Sequence, residues 1–140
     1  MPIPDLTSIL ETALYVEDID RAGAFYENIM GLRLLHAEAR MRAYDVRGRS
    51  VLLLFLRGAT TEPVRTKSGL IPAHDANGQI HIAFAIAADQ LEPWRQHLTD
   101  HGIAIEGTSD WQRGGHSLYF RDPDGNMLEV ATTPGLWEGF

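Results

Sequence analysis

The sequence repeats itself weakly with a period of half its length, and this repeat constrains the fold more than any other feature. The stretch ETALYV at residues 11–16, with a helical pattern ending at Gly31, is echoed by HIAFAI at residues 81–86, with a helical pattern ending at Gly102. The strands are offset by 70 residues and the glycines by 71. Each half reads as strand, helix and then several strands, so the sequence predicts two βαβββ modules.

We expect a single α+β domain over residues 1–140, with module one at about 8–57, a linker at 58–78 and module two at about 79–133. The two modules are expected to form a curved mixed sheet with a cleft. The linker contains Gly, Pro, Thr, Lys and Asn without periodicity, and its length is typical of a lid as well as a connection.

The composition narrows the function classes. The chain has 12 Lys plus Arg against 19 Asp plus Glu, a net charge of −7, which argues against a nucleic-acid or anionic-membrane partner. The absence of Cys excludes a disulfide framework, a thiolate metal site and a cysteine nucleophile. No apolar stretch is long enough to span a bilayer, so we expect a soluble, cytoplasmic protein.

Local signals fix the ends of several elements. Asp18 is a plausible N-cap for the first helix, which stops before Gly31. The turn Asp122-Pro-Asp-Gly125 fits a type I turn followed by a bulge with Gly125 at positive φ. With that bulge, Tyr119 pairs with Glu129 and the apolar sets of the two strands match.

Strand parity brings three metal-ligand types onto equivalent faces, because side chains alternate along a strand. Glu11, His81 and Glu129 each stand on the face turned away from the helices, and each is followed two residues later by alanine. Tyr119 shares that face. One His and two carboxylates suit a divalent Mn, Fe, Ni, Mg or Zn ion. The alternatives are an ordinary exposed Glu11 and a hydrogen-bonded core His81.

Other residues are weaker candidates. His116 follows two glycines at a strand start, and Trp111 precedes them, so both are candidate substrate contacts. Against this role, His116 has the opposite strand parity from Tyr119, and a subunit contact is the alternative for Trp111. His74 could lie on the linker over the cleft, whereas His97 and His101 are expected to be surface residues of the second helix.

Three stretches carry a resemblance to a known family: residues 11–31, HIAFAI at 81–86 and SLYFRDPDGNMLE at 117–129. The sequence resembles the vicinal oxygen chelate superfamily, which includes glyoxalase I, fosfomycin-resistance thiol transferases, extradiol dioxygenases and bleomycin-resistance proteins. The resemblance covers nearly the whole chain. It implies metal ligands at Glu11, His81 and Glu129, with Tyr119 near the substrate.

The resulting expectation is a metal-dependent enzyme that binds two neighbouring oxygens of a small organic substrate. The reaction is glyoxalase-like (lyase or isomerase) or dioxygenase-like (oxidoreductase), with Glu129 and Tyr119 as catalytic residues. We expect a homodimer whose site combines Glu11 of one chain with His81 and Glu129 of the other. The alternative is a metal-free ligand-binding protein of the bleomycin-resistance type, with a cleft lined by Trp and Tyr, and metal content discriminates the two.

Overall fold

The computed structural model describes residues 3–140, so the first two residues of the expected domain lie outside the described part of the chain. Ten strands and two α-helices are present in it. In chain order they are β1 (Glu11–Val16), α1 (Ile19–Asn28), β2 (Arg33–Glu38), β3 (Met41–Val46), β4 (Ser50–Leu56), β5 (Val64–Thr66), β6 (Gly69–Ile71), β7 (His81–Ile86), α2 (Leu91–Asp100), β8 (Gly107–Asp110), β9 (His116–Arg121) and β10 (Met127–Thr132).

The described residues divide between Asn77 and Gly78 into two compact units. Each unit has a four-stranded mixed sheet and one α-helix. The strand orders are β1-β4-β3-β2 and β7-β10-β9-β8. In each sheet the first two strands of that order are parallel and the others are antiparallel. The identical topology confirms the prediction of two βαβββ modules.

In the first unit, α1 packs against the face of β3 and β4. The Asp18 carboxylate accepts hydrogen bonds from the backbone N–H groups of Asp20 and Arg21, both at 3.0 Å, which confirms the predicted cap. The buried apolar side chains come from the helix and from the facing side of the sheet: Ala22, Phe25, Tyr26, Leu14, Val16, Tyr44, Leu52 and Leu54. Burying this set drives the packing of helix on sheet.

In the second unit, α2 packs against β9 and β10. Pro93 lies in the first turn of the helix, where its missing N–H leaves no intrahelical bond unmade. The fully or almost fully buried apolar side chains here are Leu98, Leu118, Phe120, Leu128 and Val130. In residues 3–140 no helix combines the length and apolar character needed to cross a bilayer.

Two elements differ from the sequence expectation. The linker contains a short hairpin, β5 and β6, whose three-residue strands are too short to show a periodicity. The strand expected near residues 103–107 is β8, which starts at Gly107 opposite Tyr119. It starts later because the Ile103 N–H still donates to the carbonyl of Leu98 at the end of α2.

The turn between β9 and β10 is the predicted bulged turn. The Gly125 N–H donates to the Asp122 carbonyl at 3.0 Å, and the Asp122 N–H donates to the Asn126 carbonyl at 3.1 Å. Gly125 has φ of +83°. Glu129 pairs with Tyr119, so the predicted register is confirmed.

We therefore predict that Gly125→Val lowers the unfolding free energy by about 1 kcal/mol or more, because a β-branched residue is strained at positive φ. A Cβ at this position would also lie 2.5 Å from Gln79 Nε2. Gly48→Val is the matched control, because Gly48 has φ of +71° but open space around it. Denaturant unfolding should show a larger loss for Gly125→Val, and an equal loss would contradict the contact with Gln79.

Candidate metal centre

The buried side chain of Asn126 ties β7 to the turn before β10. Its Oδ1 accepts a hydrogen bond from the Ile80 N–H at 3.0 Å, and its Nδ2 donates to Asp122 Oδ2 at 3.0 Å. The Ile80 carbonyl in turn accepts from the Met127 N–H at 2.8 Å. These bonds place His81, the first residue of β7, directly opposite Met127.

The imidazole of His81 is oriented by the backbone of β10. Its Nδ1 lies 3.0 Å from the Met127 carbonyl oxygen, and because a carbonyl can only accept, Nδ1 must carry the proton. Nε2 lies 3.1 Å from Oε1 of Glu129. In a neutral imidazole Nε2 then carries the lone pair, which points to the Glu129 carboxylate. Metal-ligating histidines commonly have the same tautomer, with one ring N–H donated to a backbone carbonyl and the other nitrogen available to the metal.

Glu129 is a buried carboxylate held on its other side by a hydroxyl. Only 5% of the surface of Glu129 is exposed, and its Oε2 accepts a hydrogen bond of 2.5 Å from Ser117 Oγ. Ser117 Oγ accepts from the indole Nε1 of Trp111 at 2.8 Å. A continuous chain of contacts thus runs from Trp111 through Ser117 and Glu129 to His81.

The contact between His81 and Glu129 needs a cation. Nε2 of a neutral imidazole and a carboxylate oxygen are both electron-pair donors, so at 3.1 Å they attract each other only through a shared proton or a bound metal ion. The carboxylate oxygens and the imidazole nitrogen are also the donor types that Mn, Fe, Ni and Zn ions accept. The residues present therefore fit a divalent ion as well as they fit a proton.

Tyr119 and His116 lie on opposite faces of β9. Tyr119 stands across from Glu129, and its hydroxyl contacts Ser109 Oγ at 2.9 Å. The side chain of His116 pairs with Asp110, with Nδ1 and Oδ1 2.7 Å apart. By parity His116 is on the face that Leu118 and Phe120 share, so the geometry of β9 gives it no contact with Glu129. The substrate roles of His116 and Trp111 remain predictions.

Glu11 lies in the first unit, at the exposed start of β1. It pairs with Val51 as His81 pairs with Met127, so the registers of the two sheets bear out the equivalence of Glu11 and His81 in the repeat. Among residues 3–140 no three His, Asp or Glu side chains form a group that could hold a metal ion. The second unit brings His81 and Glu129 into contact, and the ligand roles of these two residues and of Glu11 remain predictions.

The end of the linker packs on the Glu11-bearing face of the first sheet. His74 Nδ1 lies 2.6 Å from the hydroxyl of Tyr15, and both rings contact Phe55. Buried Thr60 holds the backbone of His74 through its carbonyl and its hydroxyl. Burial and the nearby Asp75 carboxylate raise the pKa of Tyr15, so its phenol stays protonated and can donate to His74 at neutral pH.

Sequence reasoning missed the roles of Ser117 and Tyr15. Ser117 shares a strand face with Tyr119, two residues away, so parity alone could have brought it beside Glu129. No comparable signal linked Tyr15 to His74, which is 59 residues away. The position of His74 on this face agrees with the hypothesis that the linker lies over the sheet within the first unit.

Two units with the same strand order place the chain among proteins built from paired βαβββ modules. The profile of the Glyoxalase/Bleomycin resistance protein/Dioxygenase superfamily matches residues 8–130. The chain belongs to this superfamily, which confirms the resemblance seen in the sequence.

Individual relatives agree with this assignment. The chain is 30% identical over 127 residues to the metallothiol transferase FosB of Lysinibacillus sphaericus (strain C3-41), covering 89% of this chain and 82% of the relative. It is 30% identical over 128 residues to the glutathione transferase FosA of Serratia marcescens, covering 89% and 80%. The crystal structure of a lactoylglutathione lyase from Agrobacterium tumefaciens superposes with a TM-score of 0.87 at 33% identity, covering 98% of this chain and 100% of that one. The chain is therefore related to metal-dependent enzymes of this superfamily.

We predict that Ser117→Ala lowers the unfolding free energy by about 1–3 kcal/mol, because it leaves a buried carboxylate oxygen of Glu129 without its donor. Ser109→Ala is the matched control, since it removes one part-buried hydroxyl contact on the neighbouring strand, to Tyr119. Urea unfolding at pH 7 measures both. A loss for Ser117→Ala no larger than that for Ser109→Ala would contradict the role of Ser117 in holding Glu129.

Proposed function

We propose that this protein is a metal-dependent enzyme in which one divalent ion, held by His81, Glu129 and Glu11, binds two neighbouring oxygens of a small organic substrate. The observation that carries the proposal is the 3.1 Å contact between His81 Nε2 and Glu129 Oε1. Each side chain is also held through the atom that does not make this contact: His81 Nδ1 donates to the Met127 carbonyl, and Glu129 Oε2 accepts from Ser117. Such supporting contacts are typical of metal ligands.

The donor set favours non-redox chemistry. Non-haem iron oxygenases characteristically use two His and one carboxylate, whereas the proposed set has one His and two carboxylates. Hard oxygen donors suit Mg or Mn, and mixed oxygen and nitrogen donors suit Zn or Ni. We therefore favour a lyase, isomerase or transferase reaction over ring cleavage.

The metal ion and the protein side chains would have different roles in the reaction. When bound, the ion supplies Lewis-acid polarisation of the substrate's vicinal oxygens. Glu129 and Tyr119, paired across β9 and β10, are the groups proposed to lie nearest the reacting atoms. The Tyr119 hydroxyl, kept in place by Ser109, can donate or accept a proton there.

A thiol is a reasonable co-substrate. The names of the relatives include a metallothiol transferase, a glutathione transferase and a lactoylglutathione lyase, all of which refer to thiol chemistry.

The alternative is a metal-free ligand-binding protein. The same contact between His81 and Glu129 is compatible with that alternative, because a protonated His81 would complete the ion pair without a metal.

We expect His81→Ala and Glu129→Ala to contain much less bound metal than the unmodified protein while their melting temperatures fall only slightly. The fold should persist because both residues lie on the sheet face opposite the α2 core. Elemental analysis of protein purified without chelator measures the metal, and thermal unfolding measures stability. His36→Ala, at an exposed His on β2, is the matched control and should keep its metal. Full metal occupancy in both site variants would end the metalloenzyme proposal and promote the binding protein.

The same preparations test the reaction class. Metal-loaded protein should turn over substrates with vicinal oxygens, assayed with and without a low-molecular-weight thiol, and Glu129→Ala should not. Oxygen consumption during turnover would move the assignment to the dioxygenase branch.

Completion of the site by Glu11 requires a first module to pair with a second module, within one chain or between two copies. We propose a homodimer, because the first unit exposes large apolar side chains ahead of β1 and the second unit exposes them in its tail: Ile3, Leu6, Ile9, Leu10, Trp137 and Phe140. Sedimentation at micromolar concentration should then give twice the chain mass of 15.6 kDa. A monomer would remove the site shared between chains, and loss of metal in Glu11→Gln with His36→Gln unchanged would still assign Glu11 as a ligand.

A further inference from the structure

A pair of histidines stands one helical turn apart at the carboxyl end of α2, on an element that the proposed metal centre does not use. His97 and His101 are separated by four residues, so their side chains lie on the same face of the helix. Their ring centroids are 4.4 Å apart, with the ring planes tilted by 54°. Two His at this spacing on a helix can bind one metal ion, as in zinc-dependent helices that carry His at i and i+4.

The tautomer of His101 suits metal binding. Its Nδ1 lies 2.8 Å from the carbonyl oxygen of His97, which can only accept, so Nδ1 carries the proton. In the neutral ring the lone pair is then on Nε2. This repeats the arrangement at His81, where a backbone carbonyl holds Nδ1 and leaves Nε2 as the electron-pair donor.

The surroundings hold the pair in place and favour a cation. Trp94 lies one turn earlier and contacts the ring of His97 edge-on, with centroids 5.4 Å apart, which restricts the rotation of that ring. The carboxyl end of a helix carries a partial negative charge that stabilises a bound cation. The neighbouring carboxylate of Asp100 accepts a hydrogen bond from Gln96 Nε2 at 2.6 Å and adds negative charge close to the two imidazoles.

We propose that His97 and His101 form a second metal site, which binds a Zn²⁺, Ni²⁺ or Cu²⁺ ion through two imidazole nitrogens with water in the remaining positions. Imidazole is a preferred ligand of these three ions, whereas Mg²⁺ and Mn²⁺ prefer oxygen. The site therefore differs in selectivity from a centre with two carboxylates. With two protein ligands it is open and exchangeable, and it does not depend on the proposed enzymatic function.

The test is a calorimetric titration of chelator-stripped, full-length protein with NiCl2. The variant His81→Gln/Glu129→Gln removes the proposed catalytic centre and should still bind one Ni²⁺ per chain. Adding His97→Gln or His101→Gln to it should weaken that binding by roughly tenfold or more, since even the loss of a group behind a ligand weakens metal binding 10–100-fold. His36→Gln is the matched control and should leave the binding unchanged.

Several outcomes would overturn the proposal. They are no Ni²⁺ binding to the His81→Gln/Glu129→Gln variant, equal binding after His97→Gln, or half an equivalent of Ni²⁺ with a doubled mass in sedimentation, which would mean bridging between chains. Far-UV circular dichroism checks that each variant is folded. Should His101→Gln unfold because it ends the helix, His97→Gln alone decides. Loss of metal in Glu129→Ala with Ni²⁺ retained at α2 would separate the two sites.

Discussion

The buried hydrogen bonds between Asp122 and Asn126 fix the register on which the candidate site depends. Asn126 donates its backbone N–H to Asp122 Oδ1 at 2.9 Å and its side-chain amide to Oδ2 at 3.0 Å, while its own Oδ1 holds the start of β7. One amide thereby sets β10 against both of its neighbours. A slip of one residue would turn Glu129 to the helix-facing side, where a carboxylate has no partner and is expensive to bury.

The polar contacts of the second unit are separated from its core by the sheet itself. Leu128 and Val130 face α2 and are completely buried, while Glu129 between them faces the other way. The apolar side therefore supplies the packing energy, and the polar side is left to hold a charge. On this side of the sheet the Ser117 hydroxyl donates a hydrogen bond to the buried Glu129 carboxylate, which the apolar side chains of the core could not do.

Much of this arrangement could be predicted from the sequence because it follows from period and turn chemistry. Alternation along three strands placed Glu11, His81 and Glu129 on equivalent faces, and Gly125 fixed the bulge that pairs Tyr119 with Glu129. The contact between Ser117 and Glu129 depends on side-chain rotamers, which alternation does not specify. The packing of His74 on Tyr15 depends on the path of the linker, which carries no periodic signal.

The registers of the two sheets also show how the repeated modules differ in their functional faces. Leu53 occupies in the first sheet the place that Glu129 has in the second, since each pairs with the third residue of its parallel neighbour, Ala13 and Ala83 respectively. Ala43 stands where Tyr119 does. Conversely, the first module fills the far end of this face with aromatic rings, Tyr15 and Phe55, where the second has alanines, Ala85 and Ala131.

The two modules therefore share one topology but differ in the side chains on this face of the sheet. The face of the second module that carries His81 and Glu129 has the small side chains of Ala85 and Ala131 at its far end. The same face of the first module carries Glu11 at the start of β1, and at its far end the rings of Tyr15 and Phe55 lie against His74. Since both modules share one topology, these differences lie in the side chains of the face and not in the backbone, and among residues 3–140 neither module groups three His, Asp or Glu side chains.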